Sequence, residues 1–187
     1  FMMVAVGVSS AHAEWELDNE SSHLSFASVK SDEIGEVHHF GTLVGSISKT
    51  GEMTLSIDLK DLETWIDIRN ERMKTYLFEV VKFPVATVHA QLDLDEYSAL
   101  AIGDVASADI EMTLDLHGQS QAMDVSLKVI RLATDRVMVI PDELLMLNAD
   151  DFALTAGVQK LRELAQLPNI ANAVPVSFYL TFENKDK

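Results

Sequence analysis

Residues 110–129 read IEMTLDLHGQSQAMDVSLKV, and apolar side chains occupy alternate positions at both ends of this stretch. Successive side chains of a β-strand point to opposite faces, so the alternation indicates two strands that each bury one face. The polar centre, His117-Gly118-Gln119-Ser120, is typical of a turn because glycine adopts conformations that other residues avoid. The stretch therefore predicts an antiparallel β-hairpin.

The same period of two recurs along the chain. It is found in residues 53–59, 86–92 and 174–182, and the turn signal Lys49-Thr50-Gly51-Glu52 precedes the first of them. Amphipathic strands with few helices bury their apolar faces by stacking two sheets or by closing one sheet into a barrel. We expect an all-β fold, with a single antiparallel sheet closed into a barrel.

Two segments interrupt the alternation and predict short helices. Asp67–Phe78 contains good helix formers, and Val158–Leu167 places apolar side chains at helical spacing between Gly157 and Pro168. The acidic segment 93–109 predicts a variable loop or a twisted hairpin. We therefore expect a barrel with one or two short helices near its ends.

Composition excludes several classes of function. The chain has 14 Lys and Arg against 30 Asp and Glu, a formal charge of −16, whereas binding nucleic acid requires a basic face. It has no cysteine, which excludes disulfides, thiolate zinc sites and cysteine nucleophiles. With 48% hydrophobic residues, the chain is not a disordered segment, and its length predicts one domain.

The N-terminal residues predict export. Residues 1–13, FMMVAVGVSSAHA, combine an apolar run with a final Ala-His-Ala, the pattern that signal peptidase cleaves. An ordinary buried N-terminal strand is the alternative. The run is shorter than the roughly 20 apolar residues of a membrane-spanning helix, so we expect no integral membrane segment. The predicted division is a signal-peptide remnant, 1–13, and a barrel domain, 14–187.

A series of short motifs extends over nearly all of the predicted mature chain. They are WELD at 15–18, SHLSF at 22–26, LET at 62–64, DIRNERM at 67–73, LF at 77–78, FP at 83–84, LDLHG at 114–118, DFAL at 151–154, GVQKL at 157–161 and VPV at 174–176. In order and spacing they resemble the YceI-like family of lipocalin-like periplasmic polyisoprenoid-binding proteins. Residues 40–45, FGTLVG, with His38-His39 before them, depart from the glycine-flanked stretch found early in many members.

The resemblance implies a lipocalin-like barrel with a hydrophobic tunnel, and it implies binding without a reaction. The implied partner is an isoprenoid or another amphipathic lipid, such as ubiquinone or a polyprenyl phosphate, in a periplasmic protein. We expect no other cofactor. The departures at residues 31–45 leave the lipid head group open, and the sequence leaves the oligomeric state open, a homodimer included.

Alternation and the resemblance together identify candidate site residues. The expected tunnel lining is Phe26, Leu55, Ile57, Phe78, Val88, Leu114, Leu116, Leu127 and Phe178. Arg69 and Arg72 are head-group candidates, because a guanidinium can bind a phosphate or a carbonyl. The alternative for both arginines is a structural salt bridge with neighbouring acidic residues.

The sequence patterns do not indicate a metal site or a catalytic site. His38 and His39 are adjacent on a predicted strand, so they point to opposite faces and cannot share a metal, and we expect no metal site. There is no Gly-x-Ser-x-Gly elbow or glycine-rich phosphate loop, and Asp150-Asp151 is only a pair of neighbours in a turn. Two alternatives to the lipid carrier stay open: a stress or interaction protein with a filled barrel, and an enzyme acting on a lipid.

Overall fold

The computed structural model describes residues 13–185, in which β-strands predominate. The strands are β1 Ala13–Leu17, β2 His23–Lys30, β3 Ile34–Phe40, β4 Leu43–Ser48, β5 Glu52–Asp58, β6 Leu62–Glu63, β7 Val85–Gln91, β8 Val105–Leu116, β9 Gln119–Ala133, β10 Arg136–Pro141, β11 Leu145–Asn148 and β12 Ala173–Asn184. The helices are α1 Asp67–Arg72, which continues as a π-helical turn Met73–Leu77, α2 Asp95–Ser98 and α3 Thr155–Leu164.

Eight of these strands close into an antiparallel barrel. Their order is β1-β4-β5-β7-β8-β9-β10-β12, and β12 pairs with β1 to complete the ring. Closure leaves no free edge along the ring, which is how an antiparallel sheet buries one face without a second sheet. The predicted fold class, a single lipocalin-like antiparallel barrel with short helices, is confirmed.

Strand β12 extends the barrel beyond the ring. Its second half pairs with β1 and β10, whereas Val176–Tyr179 in its first half pairs with β2, and β11 pairs with its first residues. Strands β2, β3 and β6 then follow outward from β12 in that order. The result is a long channel, and β12 runs along its whole length.

The hairpin predicted from residues 110–129 is the longest pairing in the structure. Strands β8 and β9 pair from Val105↔Ile130 to Leu116↔Gln119. His117 and Gly118 form the turn with φ of 52° and 76°, the left-handed region in which glycine is unstrained. The other predicted strands, 53–59, 86–92 and 174–182, correspond to β5, β7 and β12.

Three sequence expectations need correction or lie outside the described residues. The segment 93–109 is not a hairpin: it contains α2, a loop and the start of β8. Gly157 does not precede the second predicted helix but lies within α3, because that helix begins at Thr155 and packs closely at this glycine. The predicted signal remnant lies outside the described residues, except for Ala13, the first residue of β1.

No helix in residues 13–185 is long and apolar enough to cross a bilayer.

Candidate functional site: the barrel cavity

The barrel encloses a cavity of about 440 Å³. Its wall is formed mainly by aliphatic and aromatic side chains that point inward from the strands. On β12 these inward residues run from Val174 to Asn184, so the cavity follows the long axis of the barrel. Small-ligand sites are typically concave, mostly apolar and roughly 300–1,000 Å³ in volume, and this cavity lies within that range.

Strand register explains why the wall is apolar. Leu55 on β5 lies opposite Val88 on β7, and Val88 lies opposite Leu114 on β8. Since neighbouring residues across a sheet share a face, one inward residue on each strand produces a continuous apolar band. All three side chains are at most 8% exposed, and all three line the cavity.

The structure places every residue of the predicted tunnel lining on the cavity wall. These residues are Phe26, Leu55, Ile57, Phe78, Val88, Leu114, Leu116, Leu127 and Phe178. Their contact with a ligand stays a prediction.

One end of the cavity is lined by phenylalanine rings, and we call it the phenylalanine end: Phe26, Phe40 and Phe78. The ring centroids of Phe26 and Phe40 are 5.4 Å apart, and that of Phe78 is 6.3 Å from the first and 5.8 Å from the second. Such spacing is typical of favourable aromatic packing. The three rings at this end therefore pack against one another.

A buried polar network holds the start of α1 in place, upstream of Phe78. Thr64 is fully buried, and both its backbone N–H and its hydroxyl donate to Asn70 Oδ1, at 2.9 and 2.5 Å. Asn70 Nδ2 donates in turn to Glu63 Oε1 at 3.0 Å. The network fixes the chain as it enters α1, and the π-helical turn that follows directs Leu77 and Phe78 into the cavity wall.

His117 ties the same region to the β8–β9 turn. Its Nε2 lies 3.0 Å from Glu79 Oε2 and its Nδ1 lies 3.2 Å from the Phe152 carbonyl oxygen. Its ring centroid also lies 4.6 Å from the ring centroid of Phe83. The chain after the π-helical turn and the segment before α3 are thus joined through one side chain.

We call the other end of the cavity the polar end, because charged residues and aromatic residues with a polar group line it. They are Trp15, Lys49, Asp95, Tyr97 and Arg131. Arg131 is only 7% exposed, whereas Lys49 and Asp95, which line the same cavity, are exposed. Its Nη2 donates to the Tyr97 carbonyl oxygen at 3.1 Å, and its guanidinium carbon lies 5.6 Å from the Trp15 ring centroid. A cation over an indole face at this distance is favourable.

The two arginines predicted as head-group candidates lie elsewhere. Arg69 Nη1 pairs with Glu36 Oε1 at 2.6 Å and its Nη2 donates to the Thr64 carbonyl oxygen at 2.5 Å. Arg72 Nη1 donates to the Leu164 carbonyl oxygen at 3.3 Å. Neither arginine belongs to the cavity wall. Their role at a head group stays a prediction without support from their position.

His38 and His39 occupy opposite faces of β3, as the sequence indicates. His38 is 1% exposed, and its Nε2 lies 2.9 Å from the Ser28 hydroxyl, whereas His39 lies on the outer face beside His23 and Trp65. Burial lowers the pKa of His38 from 6.5 to about 4. Within residues 13–185, no three His, Asp or Glu side chains are arranged to hold a metal ion.

Sequence reasoning missed Arg131, although a signal for it was present. Inward positions on β9 continue as Leu127, Val129 and then Arg131, so the alternation itself points the arginine into the barrel. A charged residue at the end of an apolar series is easily assigned to solvent. Only the closed barrel shows that this position is buried.

Residues 15–182 match the model of the YceI-like domain. No curated protein sequence matches the chain.

Solved structures share the fold. The chain is similar to a polyisoprenoid binding domain from Saccharophagus degradans implicated in plant cell wall breakdown, with 42% sequence identity and a TM-score of 0.91 over 92% of this chain and 99% of that one. It is also similar to BcnA from Burkholderia cenocepacia, with 16% identity and a TM-score of 0.68 over 88% of this chain and 98% of that one. The second likeness concerns the fold alone.

Proposed function

The chain belongs to the YceI-like family, and from that premise we propose that it binds an isoprenoid lipid in its barrel cavity. The observation that carries this proposal is the barrel cavity of about 440 Å³ with a wall of inward apolar side chains. A long apolar chain fits such a space, whereas a compact polar ligand would leave most of the wall without a partner.

The free energy of apolar contacts favours a ligand with a long tail. Each buried methylene contributes about 0.8 kcal/mol, and association costs roughly 4–15 kcal/mol in lost freedom. A ligand with only a few carbons cannot offset that cost through apolar contacts alone. Several isoprene units can, and the length of the cavity along β12 accommodates an extended chain.

The similar domain from Saccharophagus degradans supports the same ligand class. That domain is described as polyisoprenoid binding, and the two chains are 42% identical over nearly their whole lengths. At that level of identity, and with a TM-score of 0.91, we extend the ligand class to this chain. Ubiquinone and a polyprenyl phosphate are the two candidate lipids.

We propose further that the protein is exported to the periplasm, where it carries or sequesters the lipid. The support is the sequence of residues 1–13, with its apolar run and final Ala-His-Ala. The mass of the polypeptide recovered from the periplasm tests this. A chain that begins at Glu14 is expected, and an uncleaved N-terminus contradicts export by this signal.

The alternative function, a stress or interaction protein with a filled barrel, is less consistent with the cavity. A filled core is close-packed and contains few voids larger than a water molecule. We also propose no reaction, because the wall is formed mainly by apolar side chains and its polar residues are confined largely to the polar end and its rim.

A wall substitution tests whether the lipid occupies the cavity. Leu114→Trp places an indole in the cavity, so we expect geranylgeraniol binding to fall at least about tenfold through lost tail contacts. Because the ring enters empty space, the thermal midpoint of the lipid-free protein should change little. Binding is measured by native mass spectrometry and stability by circular dichroism.

The matched control lies on the same strand. Glu111→Trp introduces the same side chain on the exposed outer face of β8 and should bind geranylgeraniol as the wild type does. Equal binding by the Leu114→Trp variant and the control would place the lipid outside the cavity. A large loss of stability in Leu114→Trp alone would instead indicate a filled core.

A further inference from the structure

We propose that Arg131 binds the head group of the lipid and that this head group is anionic, a phosphate or a carboxylate. The inference rests on the proposed lipid-binding function and adds the chemical class of the ligand and its orientation. The tail would then lie along the apolar wall toward the phenylalanine end, with the head at the polar end.

The position of Arg131 is the first argument. It ends the inward series of β9 after Leu127 and Val129, and it lines the same cavity as they do. The backbone N–H of Arg131 donates to the Asp104 carbonyl oxygen, and its own carbonyl oxygen accepts from the Gly103 N–H. These two bonds to the loop before β8 fix the residue at the end of the barrel. The guanidinium is thus directed at one defined end of an apolar channel.

Its hydrogen bonds are the second argument. A guanidinium offers N–H donors on three nitrogens in a planar fork. In the described part of the chain, Arg131 donates only through Nη2, to the Tyr97 carbonyl oxygen, while Nε is buried and makes no hydrogen bond. The N–H groups of Nη1 and the second N–H of Nη2 therefore remain for a ligand, and this fork of donors matches the paired oxygens of phosphate or carboxylate.

Charge is the third argument. Arg131 is only 7% exposed, yet among residues 13–185 no carboxylate forms an ion pair with it. A buried charge without a counter-charge is costly, and the Trp15 ring face offsets only part of that cost. An anion entering the cavity would supply the missing counter-charge.

The acidic residues nearby do not fill this role. Glu14 is half-buried on the cavity wall, and its carboxylate accepts from Asn184 Nδ2 at 3.3 Å. Asp95 and Lys49 are both exposed at the rim, where water screens their charges. Of the charged residues on the cavity wall, Arg131 is the one that is fully buried.

This balance favours an anionic lipid over a quinone. A quinone carbonyl can accept a hydrogen bond from the guanidinium, but it leaves the positive charge uncompensated. A phosphate or carboxylate accepts more hydrogen bonds and also neutralises the charge. Polyprenyl phosphates and isoprenoid acids share this chemistry.

The test compares ligands that share a tail and differ in the head. Geranylgeranyl phosphate, geranylgeranoic acid and geranylgeraniol are titrated into wild type, Arg131→Met, Arg131→Lys and the control Arg162→Met, an arginine on α3 outside the cavity wall. The protein has two tryptophans, so a Trp65→Phe background leaves Trp15, beside Arg131, as a local fluorescence reporter of head-group binding.

We expect wild type and Arg162→Met to bind the phosphate at least about tenfold more tightly than the alcohol, with the Trp15 emission shifted only by the anions. Arg131→Met should bind all three ligands as the wild type binds the alcohol, and Arg131→Lys should keep part of the preference. Binding of the acid close to that of the phosphate assigns recognition to charge, and weaker binding assigns it to phosphate geometry. Either result supports an anionic head.

Equal affinity of the wild type for phosphate and alcohol, or an undiminished preference in a folded Arg131→Met variant, overturns the inference. In both cases the alcohol still binds, so the proposed lipid-binding function survives. If none of the three ligands binds to the wild type, the proposed function fails together with the inference. Circular dichroism of each variant establishes folding before the titrations.

Discussion

His38 is a buried imidazole that the fold keeps neutral. Its ring packs 5.2 Å from that of Phe26, and its Nε2 lies within hydrogen-bond distance of the Ser28 hydroxyl. Burial, and after it the positive charge of Arg69, lowers the pKa from 6.5 to about 4, while Glu36 opposes this shift. The residue therefore makes the stability of the fold dependent on pH.

The sign of this dependence follows from proton binding. Between pH 6.5 and about 4 the unfolded chain protonates this histidine and the folded protein does not. The free energy of unfolding contributed by His38 is therefore fully present above pH 6.5 and is lost progressively as the pH falls toward 4.

We expect His38→Gln to reduce the loss of stability over this pH range, because glutamine stays neutral and can still reach Ser28. Urea unfolding at a series of pH values measures the slope. His89→Gln, which removes an exposed histidine from β7, is the matched control. An identical slope in His38→Gln and the wild type would mean that the folded and unfolded chains bind a proton at this histidine equally well, contrary to the lowered pKa.

Among the elements, helix α3 shows how tightly the phenylalanine end is packed. Gly157 lies within the helix, and a Cβ atom at this position would be 2.6 Å from the Tyr76 carbonyl oxygen and 2.8 Å from the Leu77 Cα. Such contacts are closer than real Cβ atoms show, and they are with backbone that cannot rotate away. The glycine thus lets α3 lie directly against the π-helical turn.

Gly157→Ala should force α3 away from this turn and destabilise the protein by about 1–3 kcal/mol, the usual cost of overpacking. Gly35→Ala is the control, because a Cβ at Gly35 has no atom within 4 Å. Thermal unfolding of both variants gives the comparison. Equal midpoints would show that α3 and the turn can separate without cost, contrary to the close packing seen here.

The strands were predictable from sequence and the helix contacts were not. Alternation at residues 110–129 identifies β8, β9 and their turn because the period of side chains in a strand is a local property. The close approach at Gly157 depends on Tyr76 and Leu77, which are distant in sequence. The partner of Arg69 was missed for the same reason: Glu36 lies on β3, whereas the sequence suggested acidic neighbours of the arginine.

At the scale of the whole molecule, the inside of the barrel could be assigned but its volume could not. All nine predicted lining residues lie on the cavity wall. For the eight on strands, alternation determines which side chains point inward, whereas Phe78 reaches the wall from the π-helical turn. Whether they meet across the barrel depends on strand number, tilt and stagger, which no single segment encodes. The hollow interior is thus a property of closure.

The same reasoning explains the polar end. Arg131 follows the inward alternation of β9, yet its burial results from Trp15 on β1 and from Tyr97 in α2, which reach it only when the barrel closes. A residue that looks solvated in sequence becomes a buried cation at the end of an apolar channel. This arrangement gives the cavity a direction, with a charged end and an aromatic end.

Native mass spectrometry of the protein purified gently from its own cells, with organic extraction of whatever is bound, tests the central claim most directly. We predict an additional mass that dissociates from the protein and fragments as a polyprenyl chain. A protein that shows only its polypeptide mass, and that still binds no geranylgeraniol after soaking, would contradict the assignment of the cavity to an isoprenoid lipid.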